Sequence, residues 1–231
     1  MADDSRRRSS GSPMILTVPG LGNSGPGHWQ SLWEAILPDC HRVDLGLWDD
    51  PHRNTWVNKI NLAIARAGRP VVLVAHSLGC HAVAWWAEYE LRGQQRLSGE
   101  AAESPVIGAL LVAPPDVEER PLDRRLTRFA PVPGAELPFP AIVVGSRDDP
   151  YATVGQARRM ARTWGARFAD AGGIGHINAQ SGIGPWAFGR LLLNQLLPEP
   201  LSLDEGARDA NLTAVNPVPV RIDPALRRLG A

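Results

Sequence analysis

Val71-Val72-Leu73-Val74-Ala75 is an apolar run without alternation, closed by His76-Ser77 and followed by a segment of helical length from Leu78 to Leu91. A strand that is apolar on both faces has to be covered on both faces, which points to a parallel sheet sandwiched between helices. The pattern repeats along the chain. Met14–Val18, His41–Leu45, Ile107–Val112, Ala141–Gly145 and Ala166–Asp170 read as further strands. Trp29–Leu37, Thr55–Ala67, Val154–Trp164 and Trp186–Leu197 have the length and spacing of helices. Alternating β and α units predict right-handed crossovers and an α/β fold whose open, mostly parallel sheet has six strands, with helices on both faces. Ligands bind such sheets beyond the carboxyl ends of the strands, so the residues after each strand carry the functional reading.

A length of 231 residues suits one such domain, and 44% hydrophobic residues suffice for its core. The 24 basic and 24 acidic side chains leave a formal net charge of zero. That balance argues against nucleic acid or an anionic membrane as a partner, since both select a clustered basic excess. Cys40 and Cys80 give neither a disulfide framework nor a metal-ligand spacing, in keeping with reduced thiols and a cytoplasmic chain. No apolar run approaches the ~18 residues of a membrane span. Residues 1–12 read as a solvated tail. The apolar stretch after Arg6-Arg7-Arg8 runs only from Met14 to Val18 before Pro19-Gly20, short of a signal core of about 7–15 residues. The domain is expected over residues 13–198. Residues 199–231, broken by Pro200, Pro217, Pro219 and Pro224, read as an extended or disordered tail.

Two motifs compete at strand ends. Gly20-Leu21-Gly22-Asn23-Ser24-Gly25 satisfies the dinucleotide fingerprint, and Asp44 lies near the end of the second strand where a ribose-binding acid would sit. Yet Pro26-Gly27 follows the third glycine. A helix there would be broken just where it has to meet the pyrophosphate, so the helix is placed later, near His28-Trp29. The other motif, Ala75-His76-Ser77-Leu78-Gly79 between a buried strand and a helix, has the form of a nucleophile elbow. Ser77 would take a strained backbone conformation there, and small residues on either side would let strand and helix approach. The alternative is an ordinary turn with Ser77 as a helix N-cap.

A serine alcohol needs a base, and the base an orienting acid; after an elbow these follow in the order acid, histidine, each at a strand end. Gly145-Ser146-Arg147-Asp148-Asp149-Pro150 follows the fifth strand and Gly172-Gly173-Ile174-Gly175-His176 the sixth. His176 is the histidine in a loop able to reach back; His76 and His81 read as structural, and His28, His41 and His52 as packing or surface residues. Asp149 is preferred as the acid because Pro150 fixes the turn after it. Asp148 and Asp116 (after the fourth strand) are alternative acids. The backbone N–H groups of Leu21 and Leu78 are the expected oxyanion hole.

The stretches VPGLGNSGPGHWQSLWE from Val18, VAHSLGCHAVAWWA from Val74, LVAPPDVE from Leu111, VVGSRDDPY from Val143 and GHINAQSGIGPW from Gly175 together resemble the retinoblastoma-binding-protein-9/YdeN-like serine hydrolases of the α/β-hydrolase superfamily. The resemblance implies a compact hydrolase with little or no lid and a triad of Ser77, Asp149 and His176. It spans about residues 14 to 197 and says nothing of either tail. The Pro- and Arg-rich segment from Ala113 to Pro140 falls where larger hydrolases insert a lid and reads as a connector, with its arginines able to rim the site. The expected activity is cleavage of small ester, thioester or amide substrates through an acyl-enzyme on Ser77, with no metal or organic cofactor. The alternatives are a non-catalytic interaction protein on this fold, or a dinucleotide binder using Gly20–Gly25. Trp29, Trp186 and Tyr151 are candidates to line the mouth.

Overall fold

The structure, a computed structural model, describes residues 12–91, Gly93 and residues 104–201. Apart from Ser12 and residues 199–201, the two expected tails lie outside the described residues. The strands β1 (Met14–Val18), β2 (Cys40–Arg42), β3 (Val71–His76), β4 (Val106–Val112), β5 (Ala141–Gly145) and β6 (Arg167–Asp170) form one sheet in the order β2-β1-β3-β4-β5-β6. All five pairings are parallel. The helices are α1 (Trp29–Ile36), α2 (Arg53–Ala67), α3 (Leu78–Trp86), α4 (Val154–Thr163) and α5 (Ala187–Asn194).

The unalternating strands are explained by two separate cores. Leu73 and Ala75 of β3, Ala109 and Leu111 of β4 and Ala141 and Val143 of β5 pack with α2, α3 and α4. Their neighbours Val72, Val74, Leu110, Val112, Ile142 and Val144 turn to the other face, against Trp29 and Trp33 of α1 and Leu192 and Leu193 of α5. Successive side chains point to opposite faces of a strand, and here both faces are apolar interior. Among the described residues no helix is long and apolar enough to cross a membrane.

Three elements end at least three residues from the sequence reading, among them the last helix, expected over Trp186–Leu197 and observed over Ala187–Asn194. The second strand pairs only over Cys40–Arg42, rather than His41–Leu45. The Val43 N–H still donates to the Thr17 carbonyl (2.9 Å), after which Gly46 (φ 62°) and Leu47 (φ 47°) turn the chain off the sheet edge. Val43 and Leu45 stay buried, so the apolar period is real but serves an edge loop. The helix expected over Leu78 to Leu91 is α-helical only to Trp86 and ends in a π-helical turn over Ala87–Leu91.

The topology places the site. The chain goes from β1 out to the edge strand β2 and returns as β3 on the other side of β1, so strand order reverses between β1 and β3. The carboxyl ends of these two neighbours open side by side, the position at which doubly wound sheets bind ligands. The loop after β1 and the turn after β3 are pressed together there. A Cβ on Gly79 would stand 2.4 Å from the Val18 carbonyl oxygen and 2.6 Å from that of Pro19; one on Gly20 would stand 2.7 Å from Ser77 Cβ. Only glycine permits this approach.

Candidate active site

β3 runs straight into Ser77, whose backbone sits at φ 54°, ψ −128°. A non-glycine residue there stores on the order of 1–3 kcal/mol of strain, which the surroundings have to hold. They do so with two hydrogen bonds: the Ser77 N–H donates to the Val112 carbonyl (2.8 Å) and the Cys80 N–H to the Ser77 carbonyl (2.9 Å). Ser77 occupies the N-cap position of α3, yet its hydroxyl makes no cap bond. The hydroxyl points instead at His176 Nε2, 2.8 Å away. The N-cap reading of Ser77 fails on this geometry.

His176 Nδ1 lies 2.9 Å from each carboxylate oxygen of Asp149. A carboxylate only accepts, so Nδ1 carries the proton and Nε2 keeps the lone pair that receives the Ser77 hydroxyl. Asp149 Oδ1 also accepts the Tyr151 N–H (2.9 Å), which fixes the carboxylate. The side chains of His176 and Asp149 are 8% and 3% exposed, so their attraction is little screened by water.

The structure separates the two alternative acids from this chain of bonds. Asp148 Oδ1 accepts the Gly175 N–H (2.7 Å) and the Ser146 hydroxyl (2.8 Å), tying the fifth-strand loop to the loop that bears His176. Those two bonds hold its carboxyl below the ordinary value. Asp116 accepts the N–H groups of Glu118, Glu119 and Arg120 and the side-chain amide of Gln156. Burial pushes its carboxyl up, but these bonds outweigh burial and hold it low. Neither is hydrogen-bonded to His176. The Leu78 N–H opens α3, where the helix ladder supplies no acceptor. Leu21 follows Gly20, which is wedged against Ser77, and among the described residues its N–H is given to no backbone acceptor.

His76 takes a part that residue type and position alone did not assign. Its ring packs between those of His28 and His176 (centroids 4.6 and 5.0 Å), and its Nε2–H donates to the His176 carbonyl (2.9 Å). The Trp29 indole N–H holds the next carbonyl, that of Ile177 (2.8 Å). The one available signal was adjacency to Ser77. His28 caps α1 by accepting the Gln30 N–H at Nδ1 (3.2 Å), and His81 Nε2–H donates to the Pro115 carbonyl (2.8 Å).

These three buried imidazoles make folding pH-dependent. Burial, then the nearby Arg42 and His176, push His28 down to about 4. Burial carries His81 down to about 4 against the opposing pull of the Pro115 carbonyl and Asp116. Burial, with His176 and His28 beside it, lowers His76 well below its ordinary value. An imidazole depressed by folding contributes its full stability above its unfolded value of 6.5. It loses that contribution as pH falls, because the unfolded chain takes up the proton first. Urea midpoints are therefore expected to drop between pH 7 and 5, each histidine contributing up to ~1.4 kcal/mol per pH unit. Replacing His81 by an apolar residue should flatten the slope. A midpoint that does not move over this range contradicts the assignment.

Among the described residues no group of three His, Cys, Asp or Glu side chains is placed to hold a metal ion. Cys40 and Cys80 are free and buried in opposite cores. The dinucleotide reading of Gly20–Gly25 is not met: α1 begins only at Trp29, and the glycine loop is packed on the elbow rather than opening a helix. Two of the expected mouth residues are also corrected. Both are buried in the second core: Trp29, on α1, gives its indole N–H to the Ile177 carbonyl, and Trp186 packs against the rings of Trp29 and Trp33. Tyr151 is half-buried with its ring 4.2 Å from that of His176. In the connector, Arg125 pairs with Asp123 (2.6 Å) and Arg128 with Asp50, so these two charges answer local carboxylates.

A family model described as serine hydrolase matches residues 15–195. Among solved structures, a YdeN-like hydrolase from Pectobacterium atrosepticum is 27% identical at a TM-score of 0.67, over 84% of this chain and 96% of that one. The ydeN gene product of B. subtilis is 19% identical at a TM-score of 0.61, over 80% and 98%. An esterase domain from a Rhodothermus marinus protein is 15% identical at a TM-score of 0.57, over 80% and 86%. The last two likenesses are of fold. No curated protein matches the chain.

Proposed function

The chain belongs to the serine hydrolase family, as a YdeN-like member of the α/β-hydrolase superfamily, and on that premise we propose that it cleaves small esters, thioesters or amides through an acyl-enzyme on Ser77. The observation that carries the reading is the unbroken series of hydrogen bonds from the Ser77 hydroxyl through His176 to Asp149. As Ser77 Oγ attacks the substrate carbonyl carbon, its proton passes to His176 Nε2. Asp149 stays ionised, holds the Nδ1–H tautomer and stabilises the imidazolium. The carbonyl oxygen becomes an oxyanion facing the N–H groups of Leu78 and Leu21, each such donor being worth ~10²–10³ in rate. Nε2 then gives its proton to the departing alcohol, thiol or amine as the tetrahedral intermediate collapses. Water enters, loses a proton to the same nitrogen, attacks the acyl carbonyl and releases the acid with Ser77 restored.

The test is turnover of a panel of p-nitrophenyl esters at neutral pH, titrated with a fluorophosphonate. One equivalent of probe per chain should be taken up, and activity should fall in proportion. Wild-type protein that neither turns over an ester nor takes up the probe would point to a non-catalytic interaction protein.

A further inference from the structure

The loop after β1 has a demanding task under the serine hydrolase reading, on which this inference rests: it has to hold the Leu21 N–H in place before any negative charge exists. Its sequence, Gly20-Leu21-Gly22-Asn23-Ser24-Gly25, offers one large apolar side chain to anchor it. What fixes it is polar. Arg42, the last residue of the edge strand, directs its five guanidinium N–H groups at five acceptors. Nη1 donates to Asn23 Oδ1 (3.1 Å) and the Ser24 carbonyl (2.9 Å). Nη2 donates to Ser31 Oγ (2.6 Å) and Glu34 Oε2 (2.8 Å), and Nε to Glu34 Oε1 (3.1 Å). Two bonds grip the loop and three grip α1.

The grip reaches the oxyanion side through short links. The Asn23 N–H donates to the Gly20 carbonyl (3.1 Å), closing a turn with Leu21 and Gly22 inside it. Asn23 sits at φ 64°, and its Oδ1 also accepts the Ser24 N–H (2.8 Å). Ser24 is buried, and its hydroxyl donates to Gln30 Oε1 (2.7 Å), while Gln30 Nε2 donates to the Val74 carbonyl of β3 (2.9 Å). From the opposite side the Gly22 N–H donates to the Trp48 carbonyl (2.9 Å). The turn that presents Leu21 is thus clamped between Arg42 and the backbone at Trp48.

We propose that Arg42 is a positioning residue for hydrolysis, clamping the first loop so that the Leu21 N–H stays aimed at the developing oxyanion. Lysine cannot replace it: an ammonium is a point charge with three donors, whereas five acceptors in two directions need a planar fork. Because such donors act by being preorganised, loosening the loop should cost rate rather than ground-state binding.

The experiment compares wild type, Arg42→Gln and Asn23→Gly on p-nitrophenyl acetate, with fluorophosphonate titration to count working sites and a trifluoromethyl ketone as an oxyanion-forming inhibitor. The Asn23→Gly change keeps the positive φ and removes one acceptor, so it decides the matter if Arg42→Gln does not fold. Per labelled site, kcat is expected to fall ~10- to 100-fold for Arg42→Gln, with less loss for Asn23→Gly, because a small misplacement of reacting groups carries a penalty of this order. KM should stay nearly constant, and ketone affinity should fall in step with kcat/KM. If activity falls only as fewer chains label, with kcat per site and ketone affinity unchanged, Arg42 merely stabilises the fold and the inference is wrong. Wild type without turnover or labelling would sink the hydrolase reading itself; an active wild type with unaltered variants sinks this inference alone.

Discussion

Ser77→Ala is expected to reduce ester turnover to near background, a loss of ~10⁶ in kcat, because the side chain supplies the atom that forms the covalent bond. The substitution removes one hydroxyl and its bond to His176 Nε2 (2.8 Å). An intramolecular hydrogen bond is worth about 1 kcal/mol net, so the fold should survive. The strained backbone is unaffected, since it is held by bonds from the Ser77 N–H and to its carbonyl rather than by the side chain. Residual rate above water is expected from the Leu21 and Leu78 amides, which remain in place. Steady-state rates alongside thermal melts check the claim. A folded variant retaining a tenth of wild-type kcat would exclude Ser77 as the nucleophile.

The second large effect separates adjacent aspartates. Asp149→Asn preserves shape but lets the carboxamide N–H donate to His176 Nδ1. The imidazole proton then moves to Nε2, and the Ser77 hydroxyl loses its acceptor. In triads of this kind the wrong tautomer costs ~10⁴ in kcat. Asp148→Asn should be far milder, since Asp148 braces the histidine loop through Gly175 and Ser146 without touching the imidazole. Measuring kcat/KM for both variants decides. If Asp148→Asn proves the more damaging, the acid has been misassigned.

Much of this was legible in the chain itself. Runs such as Val71–Ala75 and Ala141–Gly145 have to be buried on both faces, and that demand fixes a parallel sheet and its helices. Ser77, Asp149 and His176 were legible because each follows a strand, where the sheet gathers its loops. Direction within a turn could only be ranked, with Asp149 set ahead of Asp148 on the strength of Pro150. Asp148 and Asp149 share one loop, and only the local backbone decides which carboxylate meets Nδ1. The edge strand was over-extended because burial of Val43 and Leu45 continues after the pairing stops. The parts of Arg42 and His76 were hidden for another reason: their partners lie across the fold. Arg42 binds Asn23, Ser24, Ser31 and Glu34 only once β2 has taken its place beside β1.

The most direct test locates the bond that the account requires. Trypsin cleavage after Arg66 and Arg92 yields a segment whose sole serine is Ser77. After treatment of the native chain with a fluorophosphonate, mass spectrometry should find the phosphonyl adduct on that segment at Ser77 and nowhere else. Labelling should disappear when the protein is unfolded in urea before the probe is added. An adduct on any other segment, or equal labelling of folded and unfolded protein, would contradict a nucleophile made reactive by His176 and Asp149.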